Sequence, residues 1–509
     1  GRRRPALRRA VRKGRGVKRI MGRRCRTALM AVLLLLAPYP FAAQAEPAGF
    51  DQPAIVDSSS GDAYRADIKS GKSGNAVAVF EENTNGIYRL YANRYTAAKG
   101  WSGPVIIDAG TGNAYRGKVA LDDKTGDAIA VFKQETGKGY GVFSSIYRGG
   151  RWETPVRIDS GSGNADGATV AYGPTGNAAA VFEEHDGSAY GIYVNMYDPE
   201  KGWLGPVKVD KDSTNNAMFP THTFDHMGNL HVAYYKLHEN GLDLYTVSRK
   251  AEDHEWGDSV KISSGEDRGA WEGKKSRAYY GLDNAPLLLD EIKKYAYSGA
   301  YGYAEWTPSR ADSRYREAFT PSIVATTSQG VALFFAQFRD GNLRGFVSYH
   351  NPEKGWTAPA PIDNAAGDIE HIRASVSRYG EIALVFSQRT GKGLRVYART
   401  YSPFRGWDNA VTIDEGDKDG YGPGIAFTDN GGMAAVWCRQ HALKVISVAN
   451  IHDGNRWGKA QRLEHGDGEG CGVRLASGQD GKVIIIYEHK SALPDGRFVN
   501  RLYAVQYIE

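Results

Sequence analysis

The 509-residue sequence is short of cysteine, of long apolar runs and of familiar catalytic signatures. Of its three cysteines, Cys25 precedes the apolar run Ala28 to Ala37, so it is not placed to become a lipidated N-terminus. Cys438 and Cys471 remain, an even count that in an oxidising compartment favours one disulfide. The apolar run is too short for a comfortable membrane span. There is no Gly-x-Ser-x-Gly elbow, no His-Glu-x-x-His and no Ser/His/Asp set at a recognisable spacing. Acidic residues are missing from positions 1–45, which hold 13 of the 64 Lys+Arg. The rest of the chain therefore sets 51 basic against 58 acidic residues, a net of −7. No basic stripe is left there for nucleic acid.

What is present begins with an export pattern. Residues 1–20 read as an upstream extension. Met21 then opens a signal peptide over 21–45, with Arg23, Arg24 and Arg26 as its positive region and Ala43-Gln44-Ala45 as its cleavage site. The expected mature chain, 46–509, is secreted or periplasmic. At 41% hydrophobic and 24% charged residues the composition is globular. Its 62 glycines and 30 tyrosines fit many short strands joined by tight turns.

Trp101, Trp152, Trp203, Trp256, Trp356, Trp407 and Trp457 recur about every 50 residues with one double interval, the signature of an array or a propeller. Each lies in the same unit: a small-apolar run such as AVAVF, an alternating strand such as IYRLYANRY, a turn ending Gly-Trp, then a PVxID strand and a glycine-rich turn. The apolar run suits a strand buried on both faces, and the alternating one a strand nearer the surface. In the first unit the four strands are expected at 63–69, 75–82, 87–95 and 103–108. Eight such apolar runs occur. The last unit lacks a fourth strand, and residues 49–63 supply one, with Phe50 in the tryptophan position. The pattern predicts an all-β fold, an eight-bladed β-propeller of four-stranded blades closed by its N-terminal strand. Residues 265–317 break the period and are expected to form a partly helical insertion after blade 4; the alternative is a degenerate ninth blade.

The Gly-Trp turns YDPEKGW (197–203), YHNPEKGW (349–356) and YSPFRGW (401–407) resemble the Asp-box of sialidase-like propellers. Here Gly and Trp are adjacent, where the Asp-box separates them, and sialidases have six blades. The broader likeness is to repeat-rich exported bacterial propellers, which specifies the fold and leaves the activity open.

Candidate site residues fall on the face that carries the loops from second to third strands and from one blade to the next. Aligned on the apolar run, Glu82, Gln134, Glu184, Lys236, Gln337, Gln388, Arg439 and His489 form a polar ring able to hydrogen-bond a ligand, or to mark where the strand meets water. Arg65, Arg116 and Arg373, near the start of the innermost strands, could hold a carboxylate or sulfate; sialidases use an arginine triad in that way. Trp271, Tyr301 and Trp306 of the insertion suit stacking on sugars or gripping a protein. The Asp/Gly-rich turns beginning at Asp57, Asp108, Asp159, Asp210, Asp363 and Asp414 read as structural turns; calcium is the one cofactor they would admit. Cys438 and Cys471, in neighbouring blades on this face, are placed to bond. The expectation is an exported, non-catalytic binding or scaffold protein with a glycan or protein ligand on the lid-bearing face. The alternative is a sialidase-like glycoside hydrolase or lyase acting on an anionic glycan, with Glu82 and Glu184 as the candidate carboxylates.

Overall fold

A computed structural model describes residues 49–508 apart from 264–320 and short stretches within the loops. The segments expected to be a signal peptide, 21–45, and an insertion, 265–317, the latter with Trp271, Tyr301 and Trp306, lie outside the described residues. Eight separate antiparallel sheets follow one another along the chain. Blade 1 shows the plan. Its first strand is Asp62–Ser70, its second Ala76–Thr84, its third Ile87–Thr96, and its fourth is two short pieces, Gly100–Trp101 and Val105–Ile106. The glycine before the tryptophan takes a left-handed conformation, φ 71° at Gly100, which any Cβ would strain.

The second strands are the core. From Ala76 to Phe80 every residue is fully buried, as an apolar run without alternation predicts. An aromatic side chain ends this run in all eight blades: Phe80, Phe132, Phe182, Tyr234, Phe335, Phe386, Trp437 and Tyr487. In seven blades it stacks on an aromatic of the third strand, as in Phe80–Tyr91 with centroids 5.8 Å apart and Phe386–Tyr397 at 5.6 Å. Each buried ring contributes about 1.5–3 kcal/mol. The tryptophan of the turn packs edge-on against the end of the third strand, as Tyr95–Trp101 does at 5.5 Å.

The apolar clusters lie between blades. One joins blades 1 and 2, another 2 and 3, and the series runs through 7 and 8 to a last cluster, with Ala63 and Phe80 on one side and Ile486 and Leu502 on the other, that joins 8 to 1. The ring is therefore closed. Its closure is the expected one: Gly49–Phe50 pairs with Ile508 and Tyr507, and Ala54–Ile55 with Ala504 and Tyr503. Phe50 packs on Tyr507 at 5.5 Å, in the place a tryptophan holds elsewhere. The disulfide Cys438–Cys471 links blades 7 and 8, Cα atoms 5.4 Å apart.

Candidate functional site

The innermost strands converge on one cavity of about 530 Å³, to which all eight blades contribute. Its charged lining among the described residues is Arg65, Lys69, Arg116, Lys118, Arg373 and Arg474 against a single acid, Asp67, with His371 beside them. A channel with more cations than anions and low-dielectric walls concentrates anions.

A bulge shapes the top of this channel. In seven first strands the pairing register slips just after the start, as between Tyr64 and Asp67 in blade 1 and between Glu370 and Arg373 in blade 6, while in blade 5 the described pairing begins only at Ser322. The residue at the slip takes a left-handed backbone: Arg65, Arg116, Phe219 and His371 have φ 49°, 55°, 55° and 53°, and Gly167, Gly422 and Gly472 sit at the same place. Non-glycine residues reach this region only at a cost. Carboxylates help hold it. Glu81 of blade 1 accepts the Arg116 amide of blade 2 at 2.6 Å, Glu183 of blade 3 the Phe219 amide of blade 4 at 2.6 Å, and Glu488 of blade 8 the Arg65 amide of blade 1 at 2.9 Å.

These acids occupy one position of the second strand, and the same position crosses to a neighbour by other chemistry elsewhere. Lys133 reaches Asp166 at 3.0 Å, the Tyr235 hydroxyl donates to the Ala336 carbonyl at 2.8 Å, the Ser387 hydroxyl donates to the Gly420 carbonyl at 3.0 Å, and Cys438 forms the disulfide. Arg65 and Arg116 belong to this network: Arg65 pairs with Glu81 at 2.7 Å and Arg116 with Asp166 at 2.8 Å. Tyr115 lies nearly buried in the same quarter of the ring, between Tyr88 and Tyr140 at 5.2 and 6.3 Å, and burial pushes its hydroxyl pKa well up.

The arginine grouping needs correction. Arg65 and Arg116 stand at the left-handed position, but the blade 6 residue there is His371. Arg373 lies two residues on, opposite Val385, at the level of Asp67, Lys118 and Arg474. The bulge inserts a residue that counting along the sequence cannot place. Arg474 therefore joins the lining and is a channel residue that the sequence reading missed.

The polar ring one step along the second strand faces the loop leading into its own blade. Glu82 accepts the Ser58 amide at 3.2 Å, Glu184 accepts the Ser160 amide at 3.1 Å, and each carboxylate also takes its serine's hydroxyl. Gln134 accepts from the Ala109 amide and donates to the Gly112 carbonyl, and Gln388 donates to the Gly367 carbonyl. Arg439 donates to the Glu415 carbonyl, Lys236 lies over the Tyr245 ring, and His489 meets Tyr503 edge-on. Gln337 sits half-buried in its second strand. Glu82 and Glu184 are fully buried, two blades apart, and absent from the cavity lining.

The turn aspartates brace strands. Asp108, Asp159 and Asp363 accept third-strand amides from Leu90, Val142 and Gly345 and pair with Arg89, Arg157 and Arg344. Asp210 accepts the Ile192 amide in the same way, but the lysine beside it, Lys208, turns to Asp186 at 2.9 Å. One Asp210 oxygen is left buried without a partner, and burial pushes the carboxyl up to about 7. Among the described residues, no group of three or more His, Cys, Asp or Glu side chains gathers as a metal ligand set.

The fold does assemble a Ser/His/Asp contact that spacing alone did not reveal. His231 shares hydrogen bonds with the Ser248 hydroxyl at 2.8 Å and with Asp225 at 3.2 Å. Burial works against the Asp225 charge, yet bonds from His231 and Asn229 hold its pKa down at about 2. This group lies outside the channel at the seam with blade 5, where the His350 ring packs 4.9 Å from that of His231.

No protein-family model matches the chain and no curated protein matches it in sequence. Solved structures align over most of its length. A protein of unknown function from Dyadobacter fermentans is 10% identical, covering 90% of this chain and 99% of its own, with a TM-score of 0.41. A polysaccharide lyase, an ulvan lyase bound to -[GlcA(1-4)Rha3S]-, is 11% identical over 90% and 94%, TM-score 0.44. The intramolecular trans-sialidase of Ruminococcus gnavus is 10% identical over 81% and 96%, TM-score 0.37. Likeness at this level assigns no chemistry; the propeller stands on its own strand pairing.

Proposed function

We propose that this chain is an exported propeller that binds a saccharide at the mouth of its central channel and does not cleave it. The observation that carries this is the cavity itself: eight inner strands enclose about 530 Å³, within the size range of small-ligand sites, lined by polar and cationic side chains. The acids nearest the bulges support binding over cleavage. Glu81, Glu183 and Glu488 each hold a backbone amide of the next blade, so none stands ready as an acid or base without opening a seam. Export fits the disulfide, which persists in oxidising compartments. Among the described residues no helix is long and apolar enough to cross a membrane.

A glycan array probed with the purified protein, followed by chromatography of each hit after overnight incubation, tests this reading. Retention of one saccharide class, recovered intact, is the expected result. Shortened or unsaturated products would replace binding with catalysis, and a blank array would remove the saccharide.

A further inference from the structure

We infer that the seam between blades 4 and 5 is an acid-sensitive clasp: a proton on His350 drives its ring out of the contact with His231 and parts these two blades while blades 1 and 2 stay joined.

The clasp is a departure from the repeat. His231 stands in the second strand of blade 4, Leu230–His238, where every other blade has alanine, valine or isoleucine. His350 lies near the end of the third strand of blade 5, Asn342–Asn351, opposite Val331. Blades 1, 2 and 3 hold a tyrosine at that place, opposite Ala76, Ala128 and Ala178. Those tyrosines tie each blade to the one before it. Tyr95 donates to the Gln506 side chain of blade 8 at 3.0 Å, and the hydroxyls of Tyr147 and Tyr197 accept from Arg94 and Arg148. Between blades 4 and 5 two imidazoles meet instead, with centroids 4.9 Å apart.

The two rings are not alike. His231 has a partner on each nitrogen, the Ser248 hydroxyl at 2.8 Å and the Asp225 carboxylate at 3.2 Å. A hydroxyl accepts as well as donates, so this ring is satisfied whether neutral or charged. The Nδ1 of His350 is buried and has no hydrogen-bond partner among the described residues. Its ring packs on those of His231 and Trp356, at 4.9 and 5.1 Å. A neutral imidazole can leave one nitrogen bare. An imidazolium has two N–H donors, and burying one without an acceptor costs free energy that release to water recovers. His350 is only partly buried, so water is within reach of its side chain.

The charges that face His350 come from blade 4. Burial first, and then the nearby His231, hold its pKa down at about 4 against the pull of Asp225. Arg249, next to Ser248, has its charge interaction with Asp253 of its own turn. The other tie across this seam, the Tyr235 hydroxyl on the Ala336 carbonyl, keeps its proton at any acid pH. The seam between blades 3 and 4 gives the contrast. Buried His222 there has the Thr169 hydroxyl at 3.0 Å and the Ala179 carbonyl at 3.1 Å on its two nitrogens, so a charged ring keeps two acceptors. Blades 1 and 2 contain no histidine. Acid is therefore aimed at one seam, where a histidine can act as the proton-driven element of a switch.

Amide hydrogen exchange of the full chain, followed by mass spectrometry at pH 7 and pH 5 and corrected for the intrinsic rate, tests the clasp. Wild type is compared with His350→Tyr, His350→Phe and His452→Phe, each first shown to melt like wild type at pH 7. In wild type, exchange in Leu230–His238 and Asn342–Asn351 should quicken by about tenfold on going to pH 5, while Ala128–Thr136 and Gly139–Arg148 of blade 2 should not change. Both His350 variants should remove the gain, and His452→Phe should keep it. Equal quickening in blade 2 would mean that acid loosens the whole ring, and would overturn the clasp from wild type alone. A gain that survives in both His350 variants, or no gain at all, would overturn it as well.

Discussion

Between blades 7 and 8, Cys438 is joined covalently to Cys471, whereas between blades 4 and 5 its counterpart Tyr235 gives one hydrogen bond to the Ala336 carbonyl, and a histidine pair lies at the same seam. Between blades 1 and 2 the same position is Glu81, which caps a bulge amide and pairs with Arg65. The repeat thus fixes where a seam is crossed and leaves the chemistry of the crossing free. The covalent seam answers to reductant, the charged seam to loss of a partner, and the histidine seam to acid.

Removing the charged lock should have the largest effect. Glu81→Ala strands the Arg65 guanidinium and leaves the Arg116 amide without its acceptor, and should cost about 3–5 kcal/mol in urea unfolding. A smaller loss would mean that the network relaxes around water. Next comes the covalent seam. Replacing both Cys438 and Cys471 by alanine, which opens a link across 33 residues, should cost roughly 2–4 kcal/mol. Unfolding of wild type in reductant should match the double variant, and a mismatch would show that the alanines disturb packing as well.

Two further variants sharpen the contrast with pH. Burial raises Asp210 from 3.8 to about 7 in the fold, so its share of stability is complete below pH 3.8 and is lost as pH rises through 7. Asp210→Asn removes that loss and should gain about 1–3 kcal/mol over wild type at pH 8, with little gain at pH 4. At the histidine seam the sign reverses. Burial, with the neighbouring His231, lowers His350 from 6.5 to about 4, against the pull of Asp225. The unfolded chain then takes up a proton before the folded one, so stability is greatest above pH 6.5 and falls between 6.5 and 4. His222, buried against Ala179, is lowered to about 4 and acts the same way. His350→Phe should flatten this limb by about 1 kcal/mol in unfolding series across that range. An unchanged slope would assign the acid sensitivity to His222 and to His452 and His489, which burial also lowers, and the disulfide variant should show the wild-type slope throughout.

Much of the fold was legible in the sequence. The eight apolar runs, the periodic tryptophans and the spare N-terminal strand predicted the blades and their closure, and in blade 1 the second and third strands lie within two residues of their expected ends. The site was legible only in part. Arg65, Arg116 and Arg373 do reach the channel, but the bulge splits them between two levels. The ring from Glu82 to His489 turned inward, with several members committed to loops, while the consequential acids were its immediate neighbours Glu81, Glu183 and Glu488. The signal for them was present as adjacent polar residues, Glu81-Glu82 and Glu183-Glu184, closing an otherwise apolar strand. Successive side chains on a strand face opposite ways, so one of each pair had to point at the next blade.

The sequence by itself determined how many blades form, where each strand lies and how the ring closes, because those depend on local periodicity and on matching segments at the two ends. The tertiary structure decided which polar residues share a level of the channel, which seam each acid serves, and that Ser248, His231 and Asp225 meet. Such groupings join residues from strands tens to hundreds of positions apart, and a one-residue bulge, invisible in spacing, sets which of them stand side by side.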